Sequence, residues 1–98
     1  MLIRHKAFAY VTNGHHLLVF RHPDVPEAGI QVPAGTVEPD EYPQEAALRE
    51  AREETRLSGL MLAGFLREQI RPMADFGIEE THHCYFYHLV IDGEPPTL

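Results

Sequence analysis

The chain has 98 residues, a length that suits one small domain spanning residues 1–98. Its formal net charge of −7 argues against a nucleic-acid polymer as a partner, because binding to a phosphate backbone requires a basic surface. The one cysteine excludes an internal disulfide, and no apolar run approaches the ~20 residues that a membrane span needs. Since the chain starts with no secretory signal, we expect a cytoplasmic protein with no membrane partner.

Alternating or β-branched apolar residues predict three strands in the first third of the chain, over residues 6–12, 16–21 and 30–32. Asn13-Gly14 is a strong hairpin signal between the first two of them. Residues 22–29 contain two prolines, an aspartate and a glycine, and are predicted to form a loop. We expect Pro33-Ala34-Gly35 to end the third strand.

The middle of the chain predicts one helix, from Gln44 to about Leu57, because alanine, leucine, arginine and glutamate dominate it. Pro43 suits the first turn of that helix, where its missing N–H costs little. Two more strands are expected after the helix, over residues 60–70 with an irregularity at Gly64 and over residues 80–91, separated by a loop at 71–77. This order predicts an α/β (α+β) fold in which one helix packs on a largely β scaffold.

Three glutamates of the predicted helix, Glu50, Glu53 and Glu54, fall on one face when residues are placed 100° apart. Carboxylates this close repel one another unless a positive charge lies between them. A hard cation with oxygen ligands, Mg²⁺ or Mn²⁺, would satisfy them. The alternative is an ordinary solvated helix face.

The stretch from residue 35 to residue 57 resembles the Nudix box, G-x5-E-x7-R-E-U-x-E-E-x-G-U, in which U is aliphatic. Ala51 is a small but acceptable U, whereas Arg56 stands where the family has glycine. Because a left-handed helix cap is unfavourable for arginine, we expect the helix to continue and to use Gly59 as its cap. The remaining positions match at the right spacing: Gly35, Glu41, Arg49, Glu50, Glu53, Glu54 and Leu57.

The resemblance to the Nudix family implies an α/β/α sandwich with a mixed sheet. Family domains usually carry a further strand and a second helix, and this chain is short for them. We therefore expect either a C-terminally truncated fragment or a minimal form that lacks the C-terminal helix. A missing helix would expose apolar sheet surface, which favours a homodimer.

The resemblance also implies roles for individual residues. Glu50, Glu53 and Glu54 would bind Mg²⁺ or Mn²⁺, and the backbone carbonyl of Ala34 would complete the coordination. Arg49 would orient the glutamates, while Gly35 and Glu41 would support the site. The general base stays open between Glu53 and a carboxylate of a later loop, for which the candidates are Glu79 and Glu80.

The function that the resemblance implies is hydrolysis of the pyrophosphate bond in a nucleoside diphosphate linked to another moiety. Arg21, Arg67 and Arg71 are candidates for binding substrate phosphates, although each could equally be a surface charge. Pro72, together with Pro33-Ala34-Gly35, resembles the ADP-ribose pyrophosphatases of the family, so ADP-ribose or a nucleotide sugar is one expected substrate. The alternative function is a non-catalytic, Nudix-like sensor module that binds a nucleotide without turnover.

Overall fold

A long, mixed β-sheet forms the frame of the molecule. The computed structural model describes residues 2–21 and 29–91. The strands and helices of those residues, in chain order, are β1 (Leu2–Asn13), β2 (His16–Leu17), β3 (Phe20–Arg21), β4 (Ile30–Gln31), β5 (Ala34–Thr36), α1 (Pro43–Thr55), β6 (Leu60–Pro72), a 3-10 turn (Ala74–Phe76) and β7 (Glu80–Ile91).

The two central strands, β1 and β7, run parallel over eleven residue pairs, from Leu2 opposite Glu80 to Thr12 opposite Val90. Strand β6 pairs antiparallel with the other side of β7, and β2 and β5 pair antiparallel with the outer side of β1. Strands β3 and β4 form a separate two-stranded sheet. The sheet is therefore mixed, as the resemblance to the Nudix family implies.

Helix α1 packs on the face of the sheet that carries the odd-numbered residues of β1 and β7. Three helix alanines are fully buried there, and their small side chains allow the helix to approach the sheet closely. Leu89 is also fully buried, which stabilises the fold by about 1.5–3 kcal/mol. The core cluster consists of Ala7, Ala9, Val11, Ala46, Ala47, Ala51, Leu60, Tyr87 and Leu89.

The opposite face of the sheet, which carries the even-numbered residues of β1 and β7, is here called the uncovered face because no helix of the described residues lies on it. Four of its residues are nevertheless buried: Thr12, Cys84, His88 and Val90. Within residues 2–21 and 29–91, α1 is the only α-helix, so no second helix covers this face. The expectation of one helix on a mixed sheet is thereby confirmed. No helix in this part of the chain is long and apolar enough to cross a membrane. A homodimer stays a prediction.

Several boundaries differ from those predicted. The hairpin loop holds Gly14 and His15, with Gly14 at φ 63°, so the turn lies one residue later than Asn13-Gly14 suggests. The returning strand is interrupted at residues 18–19. Residues 34–36 were expected to lie beyond the end of a strand, but they form β5. The carbonyl of Pro33 accepts a hydrogen bond from Ala9 N–H (2.9 Å), and the pairing with β1 continues from there through Thr36. Most of the predicted 22–29 loop, residues 22–28, lies outside the described residues.

Strand β6 is also longer than expected and ends at Pro72, inside the predicted 71–77 loop. A proline can lie there because β7 is the only strand that pairs with β6 within residues 2–21 and 29–91, so its missing N–H need not break a second ladder. The predicted irregularity at Gly64 is confirmed by register shifts on either side of it.

The helix ends earlier than predicted, at Thr55, and does not extend to Gly59. Arg56 adopts the left-handed conformation, with φ 62°, and its N–H donates to the carbonyl of Arg52 (2.8 Å). The conformation costs an arginine about 1–2 kcal/mol. Stopping here turns the chain so that Leu57 packs against the core, which offsets that cost.

Candidate active site

The centre of the candidate site is the contact between α1 and β5. The acidic helix face, defined as Glu50, Glu53 and Glu54, follows from the spacing of these residues on one helix. Glu54 accepts a hydrogen bond from the backbone N–H of Ala34 (3.2 Å). The carboxylate of Glu50 lies directly against Gly35, where a Cβ would overlap it. Two carboxylates of the helix therefore converge on two consecutive residues of β5.

Glu53 is placed differently from its neighbours. Its side chain is 59% exposed, against 16% for Glu50. Its Oε1 lies 3.7 Å from Nη1 of Arg49. Within residues 2–21 and 29–91, no three His, Cys, Asp or Glu side chains gather closely enough to form a metal centre as they stand.

Arg49 connects the helix to the segment that leads into it. Its Nε and Nη2 donate to the two carboxylate oxygens of Glu41 (2.8 and 3.0 Å), and Nη1 donates to Glu50 (2.6 Å). Nη2 also donates to the carbonyl of Thr36 (3.0 Å). Because a guanidinium is a planar fork, these bonds fix both Glu41 and Glu50 relative to β5.

The electrostatics of this network agree with its geometry. The hydrogen bond from Arg49 lowers the pKa of Glu41 below its ordinary value of 4.5, although partial burial acts in the opposite direction. The bond to Glu41 likewise raises the pKa of Arg49. Both groups therefore stay charged at neutral pH, and Arg49 offsets part of the negative charge of the acidic helix face.

The other side of β5 faces a different environment. Ala34 pairs with Phe8 and Gly35 with Ala7, so the two residues point to opposite faces of the sheet. On the uncovered face lies a cavity of about 320 Å³, here called the aromatic cavity. The ring centroids of Phe8 and Phe86 are 4.7 Å apart in it. The aromatic cavity is lined by Phe8, Tyr10, Gln31, Val32, Ala34 and Phe86.

Sequence reasoning missed the aromatic cavity. Alternation places Phe8 with Tyr10 on one face of β1 and Phe86 on one face of β7, but it does not say that these faces coincide. Only the parallel pairing of Phe8 with Phe86 brings the rings together. The backbone acceptor at Thr36 was also missed, since a carbonyl leaves no signal in the residue type.

The remaining candidates lie away from the acidic helix face. Arg67 and Arg71 lie on β6, two strands from β1. Glu80 pairs with Leu2, five residues along β1 from Ala7 and hence about 17 Å away along the strand. The carboxylate of Glu80 is engaged by Arg4 and His82 (3.0 Å each).

Two candidates give less information. Glu79 is exposed just before β7. The side chain of Arg21 lies outside the part of the chain that the structure describes. The proposed metal contact of the Ala34 carbonyl stays a prediction, since the contact seen at this residue uses its N–H.

Comparisons with known proteins concern the family and the fold of the chain. A family model described as NUDIX domain matches residues 3–98. Among solved structures, the solution structure of the E. coli ORF135 protein is similar, with a TM-score of 0.67 and 20% sequence identity over 100% of this chain and 69% of that one. At this identity the likeness concerns the fold. A search of curated proteins found no match.

Proposed function

This chain belongs to the Nudix family, and from that premise we propose that it hydrolyses the pyrophosphate bond of a nucleoside diphosphate linked to another moiety, with the help of Mg²⁺ or Mn²⁺. The observation that carries the proposal is the convergence of Glu50 and Glu54 on residues 34 and 35 of β5. The two hydrogen bonds that Arg49 donates to Glu41, here called the brace, hold that arrangement in place.

The donor set fits a hard divalent cation. All three side chains of the acidic helix face offer carboxylate oxygens, the ligands that Mg²⁺ and Mn²⁺ prefer. The missing side chain at Gly35 leaves the room that the Glu50 carboxylate occupies. Glu53 is exposed enough to adopt another rotamer and join the other two. When bound, such a cation neutralises the diphosphate and lowers the pKa of the attacking water.

The side chains of the site have separate tasks in this proposal. Glu50, Glu53 and Glu54 would hold the cation, and Glu53, whose side chain is 59% exposed, is also a candidate base for the attacking water. Arg49 is a positioning residue, because its guanidinium is occupied by Glu41, Glu50 and the carbonyl of Thr36. We assign no base role to Glu80, whose carboxylate is held by Arg4 and His82.

The aromatic cavity would receive the base of the nucleotide. It shares Ala34 with the acidic side of β5, so a ligand that reaches around this edge strand can place its base on one face and its diphosphate on the other. Stacking on Phe8 and Phe86 suits any planar base. ADP-ribose and nucleotide sugars are the first substrates to test.

The proposal is tested by assaying ADP-ribose, nucleotide sugars, dinucleoside polyphosphates and nucleoside triphosphates with Mg²⁺, with Mn²⁺ and with a chelator. We expect at least one compound to be cleaved only when the metal is present. The variant Glu54→Gln should lose about 100-fold or more in kcat/KM, because a lost metal ligand removes several kcal/mol of charge stabilisation.

The matched control is Glu45→Gln, on the same helix. Glu45 accepts the backbone N–H of Tyr42 (2.8 Å) in the capping box, and a glutamine can do the same. The kcat/KM of Glu45→Gln should stay near the wild-type value. If the folded wild-type protein binds a nucleotide but cleaves no compound of the panel, the sensor module is favoured instead. If Glu54→Gln turns over substrate at the wild-type rate, the assigned site is wrong.

A further inference from the structure

Several positive charges of the chain share the uncovered face. Residues paired across neighbouring strands point to the same side of a sheet. By that rule Arg4, Lys6, Arg67 and Arg71 share the face of Phe8 and Phe86. They are half of the eight lysines and arginines in a chain whose net charge is −7.

One of these four charges is neutralised within the fold. Arg4 Nε donates to Glu80 (3.0 Å) at the end of the sheet that is farthest from the aromatic cavity. The other three, Lys6, Arg67 and Arg71, form what we call the cationic row. Within the described residues, no carboxylate pairs with any of them.

The members of the cationic row lie on either side of β7, on the two strands that flank it. The Nζ of Lys6 donates to the hydroxyl of Thr36 (3.0 Å), and the guanidinium carbon of Arg67 lies 5.8 Å from the ring centre of Phe86. Burial raises the pKa of the Cys84 thiol, and the charges of both Arg71 and Lys6 act against that rise. By register, Lys6 on β1 is opposite Cys84, and Arg71 on β6 is opposite His82, two residues away along β7. Arg67 borders the aromatic cavity through its contact with Phe86.

Such an arrangement is unfavourable by itself. The charge of Lys6 on β1 and the charges of Arg67 and Arg71 on β6 repel one another across β7, and the repulsion is relieved when an anion binds between them. Arginine and lysine together suit a phosphate, because one offers a bidentate fork and the other a point charge.

The position of the row relates it to the substrate. Arg67 is level with Phe86 and Phe8. Lys6 lies two residues from Phe8 along β1, about 7 Å from it, and two strands from Arg67. The acidic helix face lies on the other side of β5. A phosphate at the cationic row is therefore separate from the diphosphate at the glutamates.

We propose that Lys6, Arg67 and Arg71 form a second anion site, which binds a phosphate of the nucleotide other than the pyrophosphate to be cleaved, while the base stacks on Phe8 and Phe86. The inference rests on the proposed function, because it assumes that a nucleotide occupies the aromatic cavity. The second anion site would favour substrates that carry an extra phosphate on the ribose over substrates that lack one.

Binding without turnover tests this inference. In buffer that contains a chelator, affinities are measured by calorimetry for the four nucleoside 5′-monophosphates and for the corresponding 3′,5′-bisphosphates. For at least one base, the wild-type protein should bind the bisphosphate about tenfold more tightly, as one charge-assisted contact predicts. In Arg71→Gln the ratio of the two dissociation constants, monophosphate over bisphosphate, should fall to near one. Arg67→Gln is a second, independent variant in which the same fall is expected.

The control is Arg56→Gln, which removes the same charge from the end of α1. It should keep the wild-type ratio. Equal affinity for mono- and bisphosphates with every base would overturn the inference, as would equal losses in Arg71→Gln and Arg56→Gln. Because no metal is present, this result is independent of whether the protein hydrolyses any substrate, so the two proposals can fail separately.

Discussion

The two faces of the sheet meet at β5, and they differ in how their charged groups are held. On the helix side, Arg49 makes four hydrogen bonds that fix Glu41, Glu50 and the Thr36 carbonyl. On the uncovered side, the cationic row has one hydrogen bond and one contact with an aromatic ring. The difference indicates that the acidic side is organised before ligand arrives, whereas the cationic side needs a ligand to balance its charge.

Alternation along a strand makes this division possible. Ala34 and Gly35 are neighbours in sequence, yet Ala34 lines the aromatic cavity and Gly35 contacts Glu50. Adjacent residues of one short strand therefore serve two different chemistries. Substitutions on the helix side should change turnover or stability, and those on the uncovered face should change binding.

Among variants that keep all three glutamates of the acidic helix face, the largest effect is expected for Gly35→Ala. A Cβ at this position would overlap the Glu50 carboxylate, which is the end of a flexible side chain and can move away. We expect kcat/KM to fall about 10- to 100-fold, as for other changes that misplace a metal ligand, while the free energy of unfolding changes by less than about 1 kcal/mol. Kinetics and urea unfolding measure the two quantities.

The control for this variant is Gly64→Ala on β6. A Cβ there meets nothing within 4 Å, so neither activity nor stability should change appreciably. If Gly35→Ala were as active as Gly64→Ala, the close approach of β5 to the helix would have no role in turnover.

Arg49→Lys should have the next largest effect. Lysine keeps the charge but cannot reproduce the fork that reaches Glu41 and Glu50 together. We expect a loss of about 2 kcal/mol in the free energy of unfolding and a parallel loss in turnover, since several charge-assisted bonds are removed. The comparison is Arg52→Lys, an exposed arginine of the same helix, and equal stability of the two variants would argue against the brace.

A smaller effect is expected from pH. The hydrogen bond from Arg49 keeps the pKa of Glu41 in the folded state below 4.5, so the stability that Glu41 contributes is complete above about pH 4.5. That stability is lost as the pH falls through the lowered value. Urea unfolding of the wild type between pH 3 and 7 should show this loss, and Glu41→Gln should show less of it. Glu79→Gln removes one carboxylate from an exposed position and should follow the wild-type curve.

The smallest effect concerns the end of α1. Arg56→Gly should raise the free energy of unfolding by about 1 kcal/mol, because glycine adopts the left-handed conformation without strain. Arg52→Gly, inside the helix, should lower it by about as much. In the described structure, no hydrogen bond is given between either arginine side chain and the acidic helix face. The kcat/KM of Arg56→Gly should therefore stay unchanged, and an appreciable change would show that the helix end is coupled to the site.

The sequence by itself determined the features that depend on near neighbours. Helix α1 follows from composition and Pro43, and the shared face of Glu50, Glu53 and Glu54 follows from 3.6 residues per turn. The bounds of β7, Glu80–Ile91, follow from alternation and the turn residues beyond it. These predictions succeed because the interactions that decide them lie within a few residues of each other.

Tertiary structure alone decided the rest. The parallel pairing of β1 with β7 joins residues about 78 positions apart in the chain, such as Phe8 and Phe86, and no local pattern encodes that choice. The same holds for β5, which exists because β1 lies beside it, and for the left-handed Arg56, where packing of Leu57 outweighs a local preference. The acidic side could be read from one helix, whereas the aromatic cavity and the cationic row arise only when distant strands are brought together.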